Sequence, residues 1–185
     1  MKILAKLTAS NAPTAVWLIR LMVGGVFFFE GIQKFLYPEA LGFGRFEKIG
    51  IAAPHLMGPF IGAVEITCGL LVLAGLATRL AAIPLLINIS VAILSTKIPI
   101  LLGHGFWTFT LAKLPQYGFL SLMHEARTDF SMVLGLCFLL SVGAGAWSLD
   151  ARLNRLAPPI SSPVQTRPRW PFISGIAARV GRDSS

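Results

Sequence analysis

The chain has 185 residues, of which 55% are hydrophobic and only 13% charged, with a mean hydropathy of +0.72. So little charge cannot clothe a water-facing surface, and lipid is the expected solvent for most of the fold. The net charge of +8 would suit nucleic acid, but the positive residues fall mainly on one side of a membrane-spanning arrangement, so no nucleic-acid partner is expected.

A helix crosses a hydrocarbon core of ~30 Å with ~20 predominantly apolar residues. Four runs approach that length: Ala15 to Leu36, Leu56 to Leu76, Leu80 to Leu102 and Asp129 to Trp147. They are continuous and rich in Leu, Ile, Val, Phe and Gly, unlike the alternating segments of ~10 residues that build membrane barrels. The predicted fold is therefore an all-α membrane protein, an antiparallel bundle of four transmembrane helices.

In chain order, residues 1–14 read as a short cytoplasmic lead. Lys2 and Lys6 precede an apolar stretch, as in a signal peptide, but that stretch carries Arg20 and Glu30, is too long for a signal core, and is followed by no small-x-small cleavage site. Pro38 ends the first helix. The segment from Glu39 to His55 mixes Gly42, Gly44 and Gly50 with Arg45, Glu47 and Lys48, and is expected to form an outer loop with one short interfacial turn. Gly75 to Arg79 makes a tight hairpin, so the second and third helices are antiparallel neighbours.

Pro84 lies near the start of the third helix and costs little, whereas Pro99 near its end is expected to kink or terminate the span by removing a backbone donor. From Gly103 to Arg127 the chain holds Phe106, Trp107, Phe109, Tyr117 and Phe119 among few charges, the composition of a loop at the outer lipid interface. Residues 15–150 thus form the membrane domain. Residues 151–185, rich in Pro, Ser and Arg, read as a basic and largely disordered cytoplasmic tail whose cations touch anionic lipid.

Charge placement orients the bundle. Lys2, Lys6, Arg79, Arg152, Arg155, Arg167, Arg169, Arg179 and Arg182 fall on one side, Arg45, Lys48 and Lys113 on the other. The more basic side is cytoplasmic, which puts both termini inside and makes this a multi-pass inner-membrane protein.

Ionisable groups within a span cost ~2.5–3.5 kcal/mol each at a helix centre, so each needs an account. The candidates are Arg20, Glu30, Lys34, Glu65, Lys97 and Asp129. On a helix Arg20, Phe27 and Lys34 share a face, and Glu30 lies one turn before Lys34, within pairing reach. In the second span Gly58, Gly62, Glu65 and Gly69 recur at four, three and four residues, which sets a carboxylate on a glycine stripe suited to helix packing. Close approach there would let Glu65 reach Arg20, or a polar group of the third helix such as Asn88 or Ser90. Two roles fit these residues. Either they only fix register and topology, with Arg20 and Lys34 snorkelling to opposite headgroup layers, or Arg20, Glu30, Lys34 and Glu65 face a small cavity and hold the polar head of a ligand.

His55, His104 and His124 all fall outside the spans; their spacing matches no ligand signature, and no metal site is predicted. The lack of a histidine within a span argues against a haem held between helices. Cys68 and Cys137 lie in separate spans without a C-x-x-C partner and read as small packing residues. No phosphate-binding loop, dinucleotide fingerprint or zinc-protease motif occurs, so a self-contained active site of the soluble kind is not expected.

The string from Arg20 through Gly24, Gly25, Glu30, Gly31, Gln33 and Lys34 to Phe35 resembles the first helix of the DoxX family of small bacterial membrane proteins. Glu65 through Cys68, Gly69, Gly75 and Thr78 to Arg79 resembles its second helix and hairpin, and Gly143, Gly145, Ser148 and Asp150 its closing signature. The resemblance runs from Ala15 to Ala151. It implies a four-helix fold in the bacterial inner membrane and, as in some relatives, service as a membrane subunit of redox systems such as thiosulfate:quinone oxidoreductase or oxidative-stress complexes. The positions it carries over are Arg20, Lys34, Glu65, Arg79 and Asp150, the last two, with Asp129, in structural or topological roles. The expected role is an accessory subunit of a quinone-linked system, with a quinone as the ligand and a protein redox partner; the alternative is a non-enzymatic scaffold or small-solute carrier.

Overall fold

The computed structural model describes residues 13–156. The expectations for the lead before Pro13 and for the tail beyond Leu156 concern residues outside that range. Eight α-helices and one π-helical turn make up the described chain, with no strand beyond an isolated bridge between Phe106 and Phe109. They are α1 (Val16–Leu36), α2 (Phe43–Ile49), α3 (Pro54–Ala74), α4 (Thr78–Ala92), a π turn (Ile93–Lys97), α5 (Ile98–Leu102), α6 (Phe119–Glu125), α7 (Arg127–Val142) and α8 (Leu149–Leu156).

Three helical stretches are long and apolar enough to cross a membrane: Val16–Leu36, Pro54–Ala74 and Thr78–Leu102. The fourth run behaves differently from expectation. Its helix, α7, starts at Arg127 and stops at Val142, 16 residues that rise about 24 Å against a core of ~30 Å. Gly143 and Gly145 adopt φ of 87° and 81°, so the chain leaves the helix five residues before Trp147 and turns tightly into α8. That last helix also carries helical structure past Asp150, where the tail was expected to begin.

The most extensive packing joins α1 to α3, and glycine permits it. A Cβ on Gly31 would stand 2.7 Å from the Gly62 carbonyl oxygen, and one on Gly24 would stand 2.9 Å from that of Gly69. The glycine stripe is therefore a packing surface in which two backbones touch, the way helices associate where lipid removes the hydrophobic drive. Helix α3 ends on Gly75 at φ 69°, with the Leu76 amide bonded to the Leu71 carbonyl at 2.9 Å, a Schellman stop.

The core is formed by Val16, Val23 and Phe27 of α1, Val72 of α3, Ala82, Leu85 and Ile89 of α4, and Met132, Leu136 and Leu139 of α7. The opposite faces leave Leu18, Leu21, Phe29, Leu70, Phe130 and Leu134 exposed, an apolar exterior that suits lipid contact. Pro99 does not end the third span. The Ile98 amide reaches back five residues to the Ile93 carbonyl, and this wider turn makes room for a ring that would otherwise strike the carbonyl four residues earlier.

Candidate functional site

Charged groups gather at the two ends of the bundle, and the ends differ in kind. At the end of the Gly75 turn, Arg20 is 5% exposed and its guanidinium is spent on backbone carbonyls. It donates to Val72 at 2.9 Å, Leu73 at 2.6 Å, Ala144 at 3.1 Å and Trp147 at 2.6 Å, joining the last turn of α3 to the turn after α7. Gly75 leaves the space: a Cβ there would sit 2.6 Å from the guanidinium carbon. Asp150, 2% exposed, accepts from the amides of Ala77 at 2.9 Å and Thr78 at 3.4 Å, capping α4 from the far end of the chain. Arg79 donates to the Ser141 carbonyl at 2.9 Å and ties α4 to α7. The Arg20 and Asp150 side chains at this end are thus engaged with main-chain groups of turns already in contact.

The other end holds a cavity of about 580 Å³. Its polar groups are Glu30 and Lys34 of α1, Arg45 of α2, Glu65 of α3, Asn88 of α4, Ser95, Thr96 and Lys97 of the π turn, Glu125 at the end of α6, and Thr128 and Asp129 of α7. Val26, Phe27, Ile61, Ile87 and Met132 supply apolar wall. Lys34 lies 2.7 Å from Glu65 and 3.7 Å from Glu30, and Asn88 donates to the other Glu65 oxygen at 2.7 Å. The Lys34 and Glu65 side chains are 10% and 5% exposed, whereas Glu30 is half exposed, so the Lys34–Glu65 pair is the buried one. Lys97 and Asp129 form a second pair at 3.4 Å. Asn88 and Lys97 are nine residues apart along α4 and the π turn, about 12 Å along the axis, so the two pairs sit at two depths of one cavity. Unpaired, a buried charge would cost several kcal/mol; paired and hydrogen-bonded, it is tolerated and leaves a polar surface inside an apolar shell.

The structure therefore divides the expected ligand set. Glu30, Lys34 and Glu65 come together with Asn88, while Arg20 belongs to the opposite end and does not meet Glu65. Asp129, expected to be only structural, reaches the cavity. Arg45, Glu125, Ser95 and Thr96 were not anticipated there; Pro99 was the one trace in the sequence of the turn that swings Ser95, Thr96 and Lys97 inward. The three histidines lie apart: His55 stacks on Phe43 at 4.4 Å, His104 bonds the Gly105 carbonyl, and His124 bonds Arg127 at 2.9 Å. Cys68 packs against the core, but Cys137 is on the exposed face of α7.

The family model for DoxX matches residues 15–98, which hold Arg20, Glu30, Lys34, Glu65 and Arg79. An uncharacterized membrane protein of Mycobacterium tuberculosis, Rv3486, is 52% identical over 152 residues, covering 82% of this chain and 89% of that protein. The chain belongs to the DoxX family. A more distant relative, named "Putative oxidoreductase CatD" in Bacillus subtilis, is 34% identical over 82 residues, 44% of this DoxX chain and 58% of that protein. No solved structure matches. The matched stretch stops one residue short of Pro99, so the π turn's exit, α6, α7 and the Asp150 cap lie beyond it.

Proposed function

We propose that this DoxX protein is the membrane subunit of a quinone-linked redox system and that the cavity around Lys34, Glu65 and Lys97 receives the quinone head group. The observation that carries the reading is a buried and a partly buried ion pair lining one 580 Å³ space, within the ~300–1,000 Å³ of ordinary ligand sites. Lys34 and Lys97 supply donors for the two carbonyls of a quinone ring, and Glu65 and Asp129 are the groups able to hold or pass its protons. A bound quinone would supply the two-electron chemistry. The chain's own residues orient the ring and keep the carboxylates fixed through Asn88 and the paired lysines. The likeness to CatD, whose name is that of an oxidoreductase, points the same way. A protein partner is needed to exchange electrons with the ligand.

In this reading α7 is a fourth, short span, its deficit absorbed by local bilayer thinning. The end that bears Arg79, Arg152 and Arg155 faces the cytoplasm, with Lys2, Lys6 and the basic tail, and the cavity lies toward the outer leaflet. Protein purified from native membranes is expected to carry quinone in its extracted lipid, measured by mass spectrometry, and to bind a short-chain quinone in nanodiscs. Glu65→Gln and Lys97→Met should each weaken that binding about tenfold, the loss of ~1.4 kcal/mol. Wild-type protein that neither carries nor binds quinone refutes the proposal.

A further inference from the structure

Beside the main cavity lies an annex of about 230 Å³ lined by Arg45, Lys48, Ile49, Thr96, Thr110, Leu111 and Ala112. Arg45, Ile49 and Thr96 line both spaces, so they share a wall. Their electrostatics are opposite. The main cavity holds four carboxylates, Glu30, Glu65, Glu125 and Asp129, whereas the annex has two cations and no acidic side chain in its lining. Arg45 and Lys48 are one turn apart on the same face of α2, where like charges repel. Lys48 lies in the last turn, where the helix dipole favours a cation, and Arg45, a turn earlier, stands on the wall shared with the carboxylate-bearing main cavity.

The walls of the annex are held in place. The Thr110 hydroxyl donates to the Lys48 carbonyl at 2.5 Å and the Thr110 amide to the Ile49 carbonyl at 3.0 Å, which pins the 108–112 loop onto the end of α2. Gly50, at φ 91°, lets the Thr108 carbonyl press against the backbone where a Cβ would stand. A pinned loop beside two exposed cations, with no acid in the annex lining, is an arrangement that an oxyanion completes: it relieves the repulsion and takes charge-assisted hydrogen bonds from a guanidinium and an ammonium.

We propose that the annex is a binding site for a phosphate-class oxyanion, held by Arg45 and Lys48 at the rim of the main cavity. The same chemistry is offered by an anionic phospholipid headgroup and by free phosphate. The site stands independently of what fills the larger cavity. Full-length protein in neutral detergent would be titrated with short-chain phosphatidylglycerol, with short-chain phosphatidylcholine and with inorganic phosphate, and binding followed by native mass spectrometry and tryptophan fluorescence. Wild-type protein should prefer phosphatidylglycerol to phosphatidylcholine, and the Arg45→Gln, Lys48→Gln double variant should lose roughly 10- to 30-fold in affinity for it at low salt. Lys113→Gln, a charge change outside the annex, should bind as wild type does. Displacement of phosphatidylglycerol by inorganic phosphate assigns the site to free phosphate, and resistance to displacement assigns it to the lipid. Binding of none of the anionic probes, or equal binding by the double variant and wild type, overturns the proposal.

Discussion

Replacing Arg20 by Met removes the cation that joins the end of α3 to the turn after α7 while nearly preserving its bulk. The Val72 carbonyl keeps a second donor in the Gly75 amide at 3.1 Å, but the carbonyls of Leu73, Ala144 and Trp147 lose the guanidinium, and Asp150 loses the positive charge that acts on it. Interhelical hydrogen bonds in membranes average ~0.6 kcal/mol, which for the four lost bonds sets a floor of about 2 kcal/mol. Buried acceptors left without a donor cost ~1–3 kcal/mol each, which raises the expectation to about 5 kcal/mol once some water entry is allowed. Thermal unfolding of the purified protein in detergent, followed by circular dichroism, should show Tm falling by roughly 5–15 °C. Arg20→Lys should recover only part of that loss, because an ammonium is a compact point donor and cannot reach carbonyls on both sides as the fork does. A Met variant that melts within about 2 °C of wild type would refute the view that this side chain locks α3 to the turn after α7.

Further expectations concern the same two ends. Gly75→Ala places a side chain at φ 69° and against the guanidinium, so a loss of about 2–4 kcal/mol is expected in the same melting assay. Asp150→Asn should cost about 1–2 kcal/mol by weakening the cap on α4, and amide hydrogen exchange should rise first at Ala77 and Thr78. Gly31→Leu should separate α1 from α3, read as loss of a disulfide that forms readily between cysteines engineered on the two helices. Lys97→Met alone should destabilise by about 3–5 kcal/mol because it strands Asp129, while the double change Lys97→Met, Asp129→Leu should cost less than the single one. Equal losses in the single and double variants would show that the two charges do not act as a pair.

Much of the frame was legible from composition and period. Three spans appear within two residues of the hydrophobic runs, the Gly58, Gly62 and Gly69 stripe packs as its spacing predicts, and Glu30 meets Lys34 one turn on. Asn88 as a partner for Glu65 also followed from adjacency of the hairpin helices. The failures share a cause. A helical wheel reports which face a residue is on but not its depth: Arg20 and Lys34 share a face yet stand about 21 Å apart along the axis, so Arg20 and Glu65 cannot meet. The Lys97–Asp129 pair depends on the register of the third helical stretch against α7, which the π turn sets, and no hydropathy profile carries that register. From Gly143 to Trp147 the profile stays apolar while the backbone turns, because it scores side chains and not φ.

The contrast between the ends is what favours the Lys34 end for the proposed site. Both bury ionisable groups in an environment where they are costly, and at both the charges are compensated. At the Arg20 end compensation comes from main-chain carbonyls of turns already in contact, so the charge is consumed by folding and the space is filled. At the Lys34 end it comes from side chains on different elements, and those side chains line an open volume of about 580 Å³. Pairing charges around an open space is a poor route to stability, since apolar replacement of such pairs is often neutral or favourable. The structure keeps both pairs and the space between them, which supports the proposal that a polar ligand head is received there.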